Sequence, residues 1–150
     1  MMPLKEGDKI PHFTAKDASG QLFESHTVIG KKAVIIYFYP KDNTPQCTVQ
    51  ACGFRDNYSE FLNLGVDVIG ISADDVASHQ KFIQKFNLPF TLLADTDNSI
   101  RKLFGVPSKI FGLLPGRVTY LVDSDGIIQK VFDSVLGMKH VTKMLATIKK

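Results

Sequence analysis

Ala33-Val34-Ile35-Ile36-Tyr37-Phe38-Tyr39-Pro40-Lys41-Asp42-Asn43-Thr44-Pro45-Gln46-Cys47-Thr48-Val49-Gln50-Ala51-Cys52 runs from strand through turn into helix and holds both cysteines of the chain. Ala33 to Tyr39 is an unbroken apolar and aromatic run, and its β-branched and aromatic content predicts a strand buried on both faces. Pro40 stops it. Lys41-Asp42-Asn43 is turn material, with Lys41 and Asp42 expected at the surface. Thr44 then has the character of an N-cap and Pro45 of a first helical residue. Cys47 falls in the first turn of that helix, where unpaired backbone N–H groups and the positive end of the helix dipole stabilise thiolate over thiol.

Cys52 follows five residues later. If the helix runs through Gly53, the two sites lie about 7.5 Å apart along its axis and are rotated by about 140°. A disulfide needs Cα atoms within about 7 Å and converging Cβ vectors. These cysteines therefore never pair, or the helix start unwinds each time they do.

Outward from this stretch the pattern alternates. Upstream, turn signals at Gly7-Asp8, at Asp17 to Gly20 and at Gly30 bracket His12-Phe13-Thr14-Ala15 and Gln21-Leu22-Phe23, which predicts a hairpin-like N-terminal extension. Downstream, one helix is expected from Pro45 to Asn63 with Phe54, Tyr58, Phe61 and Leu62 as its buried stripe. Gly65 sits as a C-terminal cap ahead of a second buried strand, Val66 to Ile71. A helix opening at Ser72 to Asp75 and reaching Phe86, a strand from Pro89 to Ala94, and a short helix over Ile100 to Phe104 capped by Asp97 or Asn98 come next. Gly105 to Gly116 reads as loop. Arg117 to Val122 is a strand, Asp123 to Gly126 a hairpin turn into Ile127 to Phe132, and Lys139 to Lys149 a final helix with Val141, Met144, Leu145 and Ile148 on one face. The result is a single α/β domain over residues 1–150, with parallel strands, an added antiparallel hairpin and helices on both faces. In such sheets chemistry gathers at the carboxyl ends of the strands, where Pro40 to Cys47 lies.

Composition narrows the function. The 150 residues carry a net charge of +3 from 18 basic and 15 acidic residues, spread along the chain, which is no nucleic-acid footprint. No apolar leader opens the sequence and no run reaches the length of a membrane span, so a cytoplasmic protein without membrane association is expected. His12, His26, His79 and His140 form no ligand pattern with Cys47 and Cys52. Neither metal nor cofactor is expected.

Pro40-x-x-x-Thr44-x-x-Cys47 resembles the peroxiredoxin active-site signature. The wider run Tyr37 to Pro45 with Cys52 five residues on, and Leu114-Pro115-Gly116-Arg117-Val118-Thr119-Tyr120-Leu121-Val122-Asp123, are similar to the peroxiredoxin Q (bacterioferritin comigratory protein) branch. The resemblance covers the whole chain in element order. It implies a thioredoxin-like fold, with a central mixed β-sheet flanked by helices and an N-terminal hairpin extension. It also implies thiol-dependent reduction of hydrogen peroxide and organic hydroperoxides by a monomer recycled by thioredoxin or a similar dithiol donor.

Carried onto this chain, the resemblance makes Cys47 the peroxidatic nucleophile and Cys52 the resolving cysteine of an intrachain disulfide. Arg117 steadies the thiolate and the leaving oxygen. Thr44 donates its hydroxyl to the peroxide while its oxygen caps the helix, and Pro40 shields the sulfur from water. Many members carry Gly before the peroxidatic cysteine, where this chain has Gln46. Of the phenylalanines, Phe111 is the expected pocket wall, whereas Phe82, Phe86, Phe90 and Phe104 belong mainly to the core. Two other readings use the same cysteines: a thioredoxin-type oxidoreductase, disfavoured because its cysteines are normally two residues apart, and a redox sensor or chaperone-like binder on the same fold.

Overall fold

A computed structural model describes residues 3–106, 108–109, 114–115 and 117–149; the expectation for Phe111 lies outside them. The organising strand forms where its composition demands, as β3 (Ala33–Phe38). Its side chains alternate between two cores with the period of two that a pleated strand imposes. Val34, Ile36 and Phe38 join Ile10, Phe13, Ile100 and Phe104 on one side. Ile35 and Tyr37, with Tyr39 just beyond the strand, join Phe54, Phe61, Phe82, Val141 and Met144 on the other.

The sheet is mixed, as expected. β3 pairs in parallel with β4 (Val66–Ser72), and β4 in parallel with β5 (Thr91–Ala94). On its other side β3 pairs antiparallel with β8 (Val118–Val122), which turns into β9 (Ile128–Asp133). The N-terminal hairpin of β1 (Thr14–Asp17) and β2 (Leu22–Glu24) extends the opposite edge through β5, giving the order β2-β1-β5-β4-β3-β8-β9. One stretch expected as loop instead forms a short antiparallel ladder, β6 (Ser108–Lys109) with β7 (Leu114–Pro115). Two-residue strands carry too little alternation to be seen in a sequence rich in Gly and Pro.

The helix expected from Pro45 to Asn63 is two helices, α1 (Pro45–Asp56) and α2 (Tyr58–Asn63). Asn57 separates them at φ −110° and ψ 7°, and its side-chain amide and backbone N–H both bond the Gly53 carbonyl. Asparagine competes for backbone partners in this way and ends the helix. The bend also turns Leu62 outward to 46% exposure while Phe61 stays buried, so the stripe is narrower than expected. α3 (Val76–Phe86) is capped by Asp75, which accepts from the Ser78 N–H. α4 (Ser99–Phe104) starts after Asn98, and Asp97 accepts from the Ser99 N–H at 3.0 Å, as expected; Asp95, further back, adds a second anchor by accepting from the N–H groups of Ile100 and Arg101.

α5 (Gly137–Lys149) begins two residues earlier than expected and lies against α1. Two glycines permit that approach. A Cβ on Gly53 would meet Met138 Sδ and Val141 Cγ2 at 2.9 Å, and one on Gly137 would collide with the backbone oxygen of Gln46. Since backbone cannot swing aside as a side chain does, Gly137→Ala is expected to lower stability by about 1–3 kcal/mol, the usual cost of overpacking. Urea unfolding measures it, and an unchanged midpoint contradicts the close contact.

Candidate active site

Pro40 to Cys47 leaves the carboxyl end of β3 at the centre of the sheet. Tyr39 is buried and Pro40 half-buried. The backbone turns at Asn43, whose φ of +63° is one that asparagine tolerates better than most residues. Thr44 occupies the N-cap in extended conformation and Pro45 starts the helix, as expected.

Thr44 does not cap with its side chain, contrary to expectation. Its hydroxyl donates to the Lys41 carbonyl at 2.8 Å, and its oxygen accepts nothing from α1. The hydroxyl has one proton, and the sharp turn at Asn43 brings the Lys41 carbonyl into reach of it. What Thr44 has left to offer a ligand is its lone pairs.

Asp42 also departs from expectation. Far from a surface turn residue, it is 4% exposed. Its carboxylate accepts from the Tyr39 hydroxyl at 2.6 Å and the Ser78 hydroxyl at 2.9 Å, and lies 2.7 Å from His79 Nδ1. His79 Nε2 faces the Leu93 carbonyl at 3.0 Å, and the Asp42 N–H donates to Asp74 at 2.8 Å. The active-site turn is thus tied to β4, α3 and β5 from beneath. Apart from Tyr39, these partners lie more than thirty residues away in sequence, so the turn-like composition of Lys41 to Asn43 concealed them.

Cys47 is 1% exposed, in the first turn of α1. Arg117, 5% exposed, donates from Nη2 to Cys47 Sγ at 3.3 Å. The structure therefore brings together two expected residues seventy positions apart. The guanidinium is a charged donor aimed at the sulfur. Arg117 is aimed by Gln50, whose Oε1 accepts from Nη1 at 2.5 Å. Gln50 is one helical turn beyond Cys47 on the same face, a spacing that could have revealed it. The amide of Gln50 reaches Thr119 Oγ1 at 3.5 Å, and Thr119 in turn lies 2.6 Å from His140 Nδ1 on α5. Among the described residues Arg117 Nε, although buried, has no hydrogen-bond partner. The residue that bonds the sulfur thus keeps one N–H that the described residues do not use.

Arg101 is a second buried cation near the turn. Its Nη2 donates to the Tyr39 carbonyl at 3.2 Å, and its guanidinium lies 5.5 Å from the centroid of the Phe38 ring. Burial pulls its pKa down to about 10, which leaves it charged at neutral pH. In sequence it reads as one more helical arginine and gives no signal.

Cys52 lies on another face of α1, partly buried, and both thiols are free. The helix is continuous between them, so the geometric conflict drawn from the sequence stands. Two contacts reinforce the folded turn: Gln46 Oε1 accepts from the Gly137 N–H at 2.8 Å, and Gly53 packs under Met138 and Val141. The residue that replaces the usual glycine thus joins α1 to the start of α5. Phe82, Phe90 and Phe104 are core residues, as expected. A cleft of about 660 Å³ beside Thr14, Lys16, Asp75 and Asp95 includes neither cysteine nor Arg117.

Residues 6–131 match the model of the AhpC/TSA family. The chloroplastic peroxiredoxin Q of Triticum aestivum is 47% identical over 146 residues, covering 97% of this chain, which spans 67% of that relative's length. Among solved structures, peroxidoxin BcpB from Mycobacterium tuberculosis superposes with a TM-score of 0.89 at 32% identity, covering 97% of each chain. The bacterioferritin comigratory protein of Xanthomonas campestris, whose trapped intermediate and ligand complexes concern alkyl peroxide reduction, superposes at 0.83 with 29% identity, covering 91% of this chain and 90% of its own. The thioredoxin-like arrangement expected from the sequence is the one these structures share with this chain.

Proposed function

The chain belongs to the AhpC/TSA family and is a peroxiredoxin, a thiol peroxidase, and from that premise we propose that Cys47 is its peroxidatic nucleophile and Cys52 its resolving cysteine. The observation that carries this reading is the 3.3 Å bond from Arg117 to the Cys47 sulfur at the start of α1. In the first step the thiolate attacks one peroxide oxygen, forming S–O as O–O breaks. The other oxygen leaves as hydroxide or alkoxide and takes a proton, so Cys47 becomes a sulfenic acid. The Arg117 Nε–H is a donor for the charge that grows on the leaving oxygen. The Thr44 lone pairs accept from a peroxide O–H, a narrower role than the sequence suggested. Pro40 limits the access of water.

In the second step the Cys52 sulfur attacks the Cys47 sulfur, water leaves, and a disulfide forms within the chain. This step needs the turn between residues 47 and 52 to unwind. Opening sacrifices the Gln46–Gly137 bond and the packing over Gly53, but it involves a helix end, where local opening energies are lowest. Glycine at position 53 weakens the helix by about 1 kcal/mol relative to alanine. A dithiol donor of the thioredoxin type then reduces the disulfide by exchange. We assign the role to a single-domain monomer in the cytoplasm, acting on hydrogen peroxide and organic hydroperoxides. No helix among the described residues is long and apolar enough to cross a membrane.

Intact mass after one equivalent of hydrogen peroxide tests the second step. Wild type is expected to lose two hydrogens, and Cys52→Ser to gain one oxygen. Identical products in the two proteins would remove Cys52 from the mechanism.

A further inference from the structure

His12 and His26 are fourteen residues apart and show no ligand spacing in sequence, yet the N-terminal hairpin brings them side by side. Their ring centroids are 5.2 Å apart with the planes tilted by 39°. Glu24, the last residue of β2, completes the group: one donor atom from each of His12, Glu24 and His26 lies within 4.8 Å of the other two. All three side chains are exposed, whereas the backbone that carries them is fixed. β1 and β2 are in register from Thr14 opposite Glu24. Just beyond, the Ser25 N–H donates to the Phe13 carbonyl and the Ser25 hydroxyl accepts from the Phe13 N–H, each at 2.9 Å. Ser25 is 2% exposed, and the same hydroxyl lies 2.9 Å from His12 Nδ1. A hydrogen bond from a rigid neighbour to a ring nitrogen is how proteins set the orientation of a ligating imidazole.

We propose that His12, Glu24 and His26 form a binding site for a divalent transition-metal ion of the zinc class. Two imidazoles and one carboxylate are a donor set suited to zinc, copper(II) or nickel, and poorly suited to calcium or magnesium, which prefer oxygen alone. The spacing is within reach of closure. Three atoms no more than 4.8 Å apart all lie within about 2.8 Å of a common centre, and zinc–nitrogen and zinc–carboxylate bonds are about 2.0–2.2 Å. Each exposed side chain closes the difference by a small rotation. The other group of potential ligands, Asp42, Asp74 and His79, is already committed to internal hydrogen bonds and to the fold. A cation at the exposed site would staple the segment before β1 to the end of β2. It would act independently of Cys47, which lies on α1.

Titration calorimetry with zinc chloride tests this, in wild type and in a Cys47→Ser/Cys52→Ser background that removes zinc binding by the thiols. One equivalent is expected to bind in both, with micromolar affinity. His12→Asn and His26→Asn should each weaken it at least tenfold, and Glu24→Gln should weaken it less. Since these residues are exposed, the variants should unfold at the wild-type temperature in EDTA, while zinc should raise the midpoint of the wild type more than that of either histidine variant. No binding up to millimolar zinc, or equal binding by a His12→Asn/His26→Asn double variant, would overturn the site. Peroxide turnover does not enter any readout, so the peroxidase assignment stands or falls separately.

Discussion

Cys47→Ser abolishes peroxide reduction, and Arg117→Met, with Cys47 in place, lowers kcat/KM for hydrogen peroxide by about 10²–10³-fold, the usual cost of losing an oriented donor to a developing oxyanion. These are the expected results of a coupled assay with thioredoxin, its reductase and NADPH. A serine hydroxyl at position 47 is not ionised at neutral pH and has no comparable nucleophilicity. The arginine effect has two sources in the structure. The Nη2 bond holds the sulfur in place, and the buried Nε–H, which has no partner among the described residues, is the donor proposed for the leaving oxygen. Methionine fills comparable volume without either donor. Lysine at 117 should recover only part of the loss, because a single ammonium cannot serve the sulfur, the leaving oxygen and Gln50 with the geometry of a planar fork. Turnover by Cys47→Ser at the wild-type rate would remove the thiol chemistry from this site. A loss below threefold in Arg117→Met would mean that the guanidinium is structural.

Asp42→Ala is expected to cost about 3–5 kcal/mol of stability, the range for removing one partner of a buried ionisable pair. The substitution strands several buried groups at once: the Tyr39 and Ser78 hydroxyls and Nδ1 of His79 all bond this carboxylate. Urea midpoints measure the effect. With slopes of about 1–3 kcal/mol/M for a small protein, the shift should exceed 1 M. A midpoint within a few tenths molar of wild type would contradict the network. Because Asp42 lies two residues before Thr44, the variant that does fold should also hold the active-site turn less well, and its kcat/KM should fall even well below the unfolding transition.

The elements of the fold were legible because they rest on local rules. β3 declared itself by seven consecutive apolar residues, α1 by Thr44 and Pro45, and the N-terminal hairpin by the turn at Asp17 to Gly20. The candidate site divides differently. Cys47 could be assigned a reactive character from its position alone, whereas Arg117 needed the family resemblance, since nothing local distinguishes it from a solvated arginine. Gln50, Asp42 with His79, and Thr119 with His140 were not visible. Each acts through a partner between three and some seventy residues away, and side-chain pairing across a sheet leaves no periodic trace. The Thr44 cap failed for a related reason: the composition marks the N-cap, but the backbone turn at Asn43 decides where the hydroxyl points. The break at Asn57 shows the same limit, a polar side chain claiming a carbonyl within an otherwise helical pattern.

The proposed mechanism requires two conformations of α1, helical when Cys47 meets peroxide and unwound between residues 47 and 52 when the two sulfurs join. Amide hydrogen exchange over residues 45–53, compared before and after one equivalent of hydrogen peroxide, tests it directly. Protection is expected in the reduced protein, where the helix is continuous and both thiols are free, and its loss on oxidation, with the sheet amides of β3 and β4 unchanged. Equal protection of this segment in both states, with the disulfide shown by mass to have formed, would contradict it.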